Sequence, residues 1–470
     1  MSGPARVRAT AAACLLALGG CAVGPDYHLP ATAAVNRPAA QAPLAAPAGL
    51  ASGDALPPRW WRLYADPVLD RLEEQALAGN TDLRIAAANL ARAEALTRIA
   101  EGAAEPEIAV DAAAERARLS GESFLLPESL PAATLGTATL GVHYQLDLFG
   151  RVRRSVEAAR ADADSRVALV EAVKVTLAGE VARAYAGVCG AQETVDTLEA
   201  AAAVRRDLLM ATSRLQAAGR VGGIEVTIAR ARLDEAEAMV PPARARARAR
   251  LYQLAFLLGR TPAEYPREAE ACRHLPTLER ALPVGDGAAL LARRPDVRAA
   301  ERELAAATAR IGLATADLYP RISFGLSAGS TGFLRDLGTA PANRWGLGSL
   351  LQWSFPDAGA RGRIAAANAE ARRALAAFDG TVLTALRETQ TTLATYGEDT
   401  ARLTALHRAT QSAKLGADQV ARLRKAGRAA APADLAGRAE ALAAELREQA
   451  GQEAVVADQI ALFVALGGGW

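Results

Sequence analysis

The sequence predicts an α+β membrane protein in which short β-hairpins continue into very long α-helices. Residues 138–148 alternate between apolar and polar side chains, as expected of a strand with one apolar face. After Gly150 the apolar spacing changes to threes and fours for about 70 residues, enough for a helix about 100 Å long. The same order of elements then occurs a second time, which indicates an internal duplication.

The amino terminus resembles a bacterial lipoprotein signal. Residues 1–20 combine a basic start with an apolar run and end immediately before Cys21. Cys21 would become the lipid-bearing first residue of the mature chain, since the alternative, cleavage near Cys14, leaves too short an apolar core. By resemblance to other bacterial lipoproteins, Ala22 after this cysteine implies sorting to the outer membrane. Residues 21–57, rich in proline and alanine, are predicted to form an extended lipidated tether.

Composition argues against several classes of partner. Removing residues 1–20 takes away two of the 54 basic residues and none of the 52 acidic ones, so the mature chain is formally neutral and no nucleic-acid partner is indicated. Of the four cysteines, Cys189 and Cys272 then remain as unmodified side chains. They could pair, but two isolated thiols are the preferred interpretation. No later segment has the 18 or more apolar residues of a membrane helix, so a membrane span would have to consist of strands.

The chain after the tether is predicted to contain two structural repeats. The first, residues 58–265, has short helices, a β-hairpin over 106–148 and a long helix pair over 150–258. Its long helix shows apolar residues every seven positions, which predicts supercoiling against neighbouring helices. The second, residues 266–470, has a hairpin over 320–357 and a helix pair over 359–466. Matching segments of the two repeats lie 214 residues apart at the start and 208 near the end.

Four strands per chain cannot close a sheet on themselves. Open edges cannot face lipid either, because their backbone groups would lack hydrogen-bond partners. Several copies must therefore pool their strands, and a symmetric homo-oligomer is the simplest arrangement that does so.

Five stretches resemble the outer-membrane factor family, the TolC-like channels of tripartite efflux pumps, in its lipoprotein branch. They are CAVGPDY at 21–27, WW at 60–61 with DP at 66–67, YQLDLFGR at 144–151, RRPDVRAAE at 293–301 and LGGGW at 466–470. The resemblance covers nearly the whole mature chain in the same order. It implies a homotrimer with a 12-stranded outer-membrane barrel, continuing into a long α-helical coiled-coil tunnel in the periplasm.

The resemblance also implies partners and a function. The protein would be a passive exit duct for small molecules and drugs, docking a periplasmic adaptor (membrane fusion) protein and, through it, an RND-type inner-membrane transporter. Alternatives are a duct for type I protein secretion or, from a different class, a structural coiled-coil envelope lipoprotein without a pore. Four alternating strands argue against the last, because a rod needs no hairpins.

The resemblance assigns roles to particular residues. The strand-to-helix turns are Gly150 and Gly359. The periplasmic tips, where an adaptor would dock, contain Gly219, Gly222, Gly223 and Gly427. Candidates for the pore constriction are Glu225 and Asp434, although an acid at a helix start is also explained by the helix dipole. Both tips depart from the family pattern: the first has Gly for Ser and Glu for Asp, and the second lacks the Ser.

No catalytic pattern is present, so we expect neither an enzyme nor a cofactor or metal site. The histidines, which have no ligand spacing, are His28, His143, His274 and His407. His143 falls on the polar face of a predicted strand, where an aqueous lumen is a better explanation than a metal. Four arginines at alternate positions from Arg244 to Arg250 split into two stripes on a helix, which favours a solvated face over a nucleic-acid site.

Overall fold

The computed structural model describes residues 22–45, 49–52, 54, 56–122, 125, 127–278, 280–355 and 359–468. The helices are α1 (Pro38–Gln41), α2 (Pro67–Gly79), α3 (Thr81–Gly102), α4 (Arg151–Ala217), α5 (Gly223–Leu257), α6 (Arg267–Glu270), α7 (Gly287–Arg293), α8 (Pro295–Ala316), α9 (Ala360–Lys425) and α10 (Ala431–Ala465). The strands are β1 (Ala51–Ser52), β2 (Glu107–Ala117), β3 (Ala133–Leu146), β4 (Leu282–Pro283), β5 (Arg321–Phe333) and β6 (Asn343–Gln352). None of the helices in this part of the chain offers the length of apolar sequence that a membrane crossing requires.

The chain forms two compact units. The first, the sheet unit, consists of Met1–Pro30, Asn89–Arg166 and Ala299–Phe378. The second, the helical unit, consists of Ala31–Ala88, Val167–Arg298 and Asp379–Trp470. Each unit contains segments of both predicted repeats. The division into compact units therefore does not coincide with the division into repeats.

The helices show the duplication directly. Helices α3 and α8 both have 22 residues, and their first residues lie 214 positions apart. Helices α4 and α9 have 67 and 66 residues, and α5 and α10 have 35 each. Because lengths and order both recur, the two halves repeat one pattern of elements.

Aromatic side chains near both ends of the sequence form the core of the helical unit. Trp60 is fully buried and stacks on Phe463 with ring centroids 4.5 Å apart. Asp66 caps α2 by accepting the N–H groups of Val68 and Leu69, and its other carboxyl oxygen accepts the Tyr185 hydroxyl at 2.8 Å. Stacked aromatic pairs of this kind contribute about 0.5–1.5 kcal/mol beyond their buried area. The core thus ties residues 60–66 to the last helix.

The two arginines before α8 also hold the end of the chain. Arg294 donates from Nη1 to the Ala465 carbonyl at 2.8 Å, and Arg293 donates from Nε to the Leu466 carbonyl at 2.8 Å. These carbonyls are at the carboxyl end of α10, where the helix leaves them without partners of its own. The arginines therefore serve as a cap for α10.

The cysteines differ from the interpretation as isolated thiols. Cys189 of α4 and Cys272, just after α6, form a disulfide with Cα atoms 4.8 Å apart. Neighbouring contacts bring the two segments together: Gln192 donates to the Glu270 carbonyl at 3.4 Å, and Arg273 pairs with Asp196 at 3.2 Å. The preference for free thiols was wrong because an 83-residue separation carries no information about distance in the fold.

The segment expected to be an extended tether is packed where the structure describes it. In the helical unit, Ala33 and Ala34 are buried, and the Ala34 N–H donates to Asp379 at 2.7 Å. The Gly287 N–H donates to the Ala42 carbonyl at 3.1 Å, and β1 pairs in parallel with β4. Small alanine side chains allow this close approach, which the low periodicity of the segment did not reveal.

Glu73 of α2 is a buried carboxyl without a hydrogen-bond partner in the described part of the chain. Burial raises the pKa of Glu73 well above its usual range, and the nearby Asp70 adds to this. The folded state therefore holds the proton more tightly than the unfolded state. The contribution of Glu73 to the free energy of unfolding is therefore most favourable below the ordinary glutamate pKa of about 4.3, and it falls as the pH rises above that value.

We expect Glu73→Met to raise the thermal midpoint of the helical circular dichroism signal. The gain should be larger at about pH 8 than at about pH 5, because the cost of the buried carboxyl grows with pH. Glu74→Met is the matched control, since the Glu74 side chain is 57% exposed and should show no such pH dependence. Equal gains at both pH values would contradict the buried, protonated carboxyl.

Candidate functional site

The sheet unit contains a four-stranded antiparallel sheet with the order β2-β3-β5-β6. Strand β3 of the first hairpin pairs with β5 of the second, so the two repeats share one sheet. The register places Val142 opposite Leu326, and Leu326 opposite Leu347. Directly paired residues point to the same face of a sheet. The apolar positions of the four strands therefore lie together on one face.

One face of the sheet is apolar and open. Its exposed large side chains are Ile108, Val110, Leu140, Tyr144, Phe324, Leu326, Trp345, Leu347 and Leu351. Trp345 is 81% exposed and Leu326 is 49% exposed. Continuous apolar surface of this kind is rare on proteins surrounded by water and marks contact with lipid or with another chain.

The opposite face is polar over most of its length, with Leu350 and Phe333 as its exposed large apolar side chains. Arg344 donates to Thr139 Oγ1 at 2.9 Å and to Thr331 Oγ1 at 3.0 Å across this face. His143 lies on the same face, opposite Gly325, as the alternation predicted. The sheet thus has one side suited to hydrocarbon and one suited to water.

Both edges of the sheet are open. Within the described residues, β2 and β6 each pair on one side only. The outer N–H and C=O groups of an edge strand remain available for pairing with another chain. The sheet of a single chain is therefore incomplete in any environment without water.

Gly150 forms the turn from β3 into α4. Its φ of +75° lies in the left-handed region, which favours glycine. Asp147 caps the new helix, accepting the N–H groups of Val152 at 3.0 Å and Arg153 at 2.8 Å. Gly359 lies one residue before α9, and its carbonyl accepts the Arg363 N–H at 3.0 Å. The residues just before it, 356–358, lie outside the described part of the chain.

Asp317 connects the elements that meet at this end of the sheet. It accepts Arg151 at the start of α4, Arg321 at the start of β5 at 3.2 Å and Arg363 in the first turn of α9 at 3.1 Å. The sequence analysis missed this residue. A single acid among arginines that each begin a separate element has no local signature.

Glycine ends both long helices in the same way. Gly219 and Gly427 have φ values of +67° and +70° and lie 208 residues apart. In each case the N–H of the next residue, Arg220 or Arg428, donates back across the helix end at 2.9 and 2.8 Å. This is the Schellman motif, which needs a left-handed residue. Gly222 is the N-cap of α5.

The two acids proposed for a pore constriction have different surroundings. Glu225 is exposed in the first turn of α5, next to Gly223, and has no ion-pair partner within the described ranges. Asp434 is fully buried in the first turn of α10, where Arg424 donates to it at 2.6 Å and Arg438 lies 3.2 Å away. The hydrogen bond from Arg424 lowers the pKa of Asp434. Asp434 therefore fastens α9 to α10 in this chain.

One of the two ion pairs of Asp434 could have been predicted from the sequence. Arg438 follows Asp434 by four residues, the spacing of neighbours on a helix, and could have been recognised. Arg424 lies on the other side of the glycine turn, so only the turn geometry brings it to the same carboxylate. Cys21, the predicted lipidation site, lies outside the described residues.

Known proteins resemble this chain in sequence and fold. The family model described as outer membrane efflux protein matches residues 72–260 and 288–468. The solvent efflux pump outer membrane protein SrpC of Pseudomonas putida is 32% identical over 407 residues, covering 82% of each chain. Nodulation protein T of Rhizobium leguminosarum bv. trifolii is 29% identical over 344 residues, covering 72% of this chain and 69% of that protein.

Solved structures agree with these sequence matches. The outer-membrane channel OprN is 33% identical and superimposes with a TM-score of 0.87, covering 96% of this chain and 100% of that one. The Campylobacter jejuni CmeC outer membrane channel, at 18% identity, has a TM-score of 0.84 over 96% of this chain and 95% of that one, which shows the fold alone. The predicted TolC-like fold is confirmed. The chain belongs to the outer membrane efflux protein family.

Proposed function

We propose that the protein is the outer-membrane channel of a tripartite efflux pump, a passive exit duct for small molecules. The observation that carries this proposal is the sheet: one exposed apolar face, one polar face and two open edges, in a chain that belongs to the efflux family. Three copies would satisfy every edge by pooling twelve strands around an aqueous lumen. The long helices α4 and α9 would continue this lumen through the periplasm.

The proposed partners follow from the same assembly. A periplasmic adaptor would dock at the glycine turns at Gly219, Gly222, Gly223 and Gly427, and an RND-type inner-membrane transporter would supply the energy. SrpC is a solvent efflux protein by name, which supports small apolar cargo for this chain too. A lipid on Cys21 would add a second attachment to the outer membrane.

Two experiments distinguish this function from the two alternatives. A duct for secreted proteins would share the fold, whereas a structural coiled-coil lipoprotein would lack a pore. The purified protein, reconstituted into planar bilayers, should conduct ions as a heat-modifiable trimer. A monomeric species without conductance would refute the channel. Deletion of the gene should raise sensitivity to organic solvents or dyes; loss of a secreted protein alone would favour the secretion duct.

The two acids near the helix turns should respond differently in that bilayer. Glu225→Gln should lower the preference for cations, because an exposed carboxylate without an ion pair attracts cations from solution. Asp434→Asn should instead raise the open probability, because it removes the carboxylate that fastens α9 to α10. Unchanged selectivity in Glu225→Gln would remove Glu225 from the constriction, and unchanged gating in Asp434→Asn would leave Asp434 a purely structural residue.

A further inference from the structure

The first described residues of the chain follow a groove in the sheet unit. We call residues 22–27 the amino-terminal strap. Its Val23 N–H donates to the Phe149 carbonyl at 3.2 Å, just before the turn into α4. Its Tyr27 hydroxyl donates to Glu301 of α8 at 3.2 Å. The strap is thus bonded both to the β3–α4 turn and to α8.

A buried arginine of α4 holds the strap. The Arg154 side chain is only 4% exposed. It donates to the carbonyls of Val23 at 3.2 Å and Gly24 at 3.3 Å, and to the Asp26 carboxylate at 2.7 Å. Its Nη1 also donates to Glu157 of its own helix at 2.7 Å. A buried guanidinium is costly unless its N–H groups are paired. Most of its partners here belong to the strap.

Three glycines make room for the strap backbone. A Cβ on Gly24, whose φ is +87°, would lie 2.4 Å from the Gly312 Cα. A Cβ on Gly312 would lie 2.8 Å from Arg154 Cγ and from the Val23 carbonyl oxygen, and one on Gly150 would lie 2.6 Å from the Ala22 Cα. Carbon atoms do not approach so closely, so any side chain at these positions would push the strap out. The groove fits this segment closely.

Aromatic side chains surround the end of the sheet where the strap begins. Phe149 stacks on Tyr319 with centroids 4.6 Å apart, and Trp353 Nε1 donates to the Leu318 carbonyl at 3.2 Å. Trp353 and the neighbouring Phe355 are exposed. Aromatic residues with one polar and one apolar end are enriched at membrane–water interfaces. This level of the sheet therefore fits the periplasmic boundary of the outer membrane.

We propose that Arg154 is a positioning residue that clamps the strap at the β3–α4 turn and so fixes where the lipid anchor enters the membrane. Ala22, the first described residue, lies against Gly150 of this turn, and a lipid attached one residue earlier would be held near it, because consecutive Cα atoms are about 3.8 Å apart. This inference rests on the proposed outer-membrane placement and on lipidation of Cys21.

The test measures the mobility of the strap. A nitroxide is attached to Pro25→Cys, an exposed position within the strap, in protein reconstituted into phosphatidylethanolamine and phosphatidylglycerol vesicles. The disulfide occupies Cys189 and Cys272, so the label has one target in the lipidated chain. Arg154→Met and Gly24→Ala should each shorten the rotational correlation time roughly tenfold, as for a surface loop released from its packing. Arg154→Lys, which keeps the charge, should give an intermediate value.

Matched controls exclude a general loss of structure. Arg166→Met changes an exposed arginine of the same helix, and Gly362→Ala adds a Cβ with no atom within 4 Å. Neither should mobilise the label, and mass spectrometry should show lipid on every variant. An immobile label in both Arg154→Met and Gly24→Ala would overturn the inference. Failure of the proposed function would appear separately, as absence of bilayer conductance in the unmutated protein.

Discussion

Leu326→Lys should strongly reduce assembly into a membrane, whereas Ser327→Lys should have little effect. The two residues are adjacent in β5 and point to opposite faces; Leu326 is part of the open apolar face. A lysine on the lipid side of such a sheet costs about 2–4 kcal/mol per copy near the bilayer centre. On the polar face the same charge remains in water. The difference between the variants therefore reports which face meets lipid.

The measurement is the fraction of heat-modifiable trimer after folding into phosphatidylcholine vesicles over a range of urea concentrations. Because the two variants introduce the same charge into the same strand, differences in expression or net charge cancel. Equal losses in both would mean that both faces are buried against protein. If Leu326→Lys behaved as the unmutated protein, the apolar face would not lie in lipid, and the channel proposal would lose its main support.

The double substitution Cys189→Ala and Cys272→Ala should lower the free energy of unfolding by about 2–4 kcal/mol, because the disulfide restricts the unfolded chain. The bond joins residues 83 positions apart, and Cys189 is fully buried. Urea unfolding of the solubilised protein, followed by its helical signal, measures the change. An oxidising periplasm is a compartment in which such a bond persists.

Reduction provides the control for that experiment. A reductant added to the unfolded protein should lower the stability of the unmutated chain but leave the double alanine variant unchanged. Added to the folded protein, it should act slowly, because the buried sulfur of Cys189 is shielded from solvent. Two titratable thiols in the denatured, unreduced protein would contradict the disulfide and restore the interpretation as isolated cysteines.

The positions of the long elements were accessible from the sequence to within a few residues. The first hairpin was predicted over 106–148 and is formed by β2 and β3, and the first helix pair was predicted over 150–258 and is formed by α4 and α5. Alternation and heptad spacing extend over many residues in these elements, so the signal accumulates. The packing of residues 31–45 was not predicted, because short irregular segments lack any period.

Local sequence patterns were sufficient for the strands, the long helices, their duplication and the glycine turns at Gly219 and Gly427. Each of these depends on neighbours within one or two turns, or on a repeat of the same pattern. The tertiary structure decided which distant residues meet: Cys189 with Cys272, Arg424 with Asp434, and Arg154 with the amino-terminal strap. Such pairs are brought together only when helices and strands pack, and packing leaves no periodic trace in the sequence.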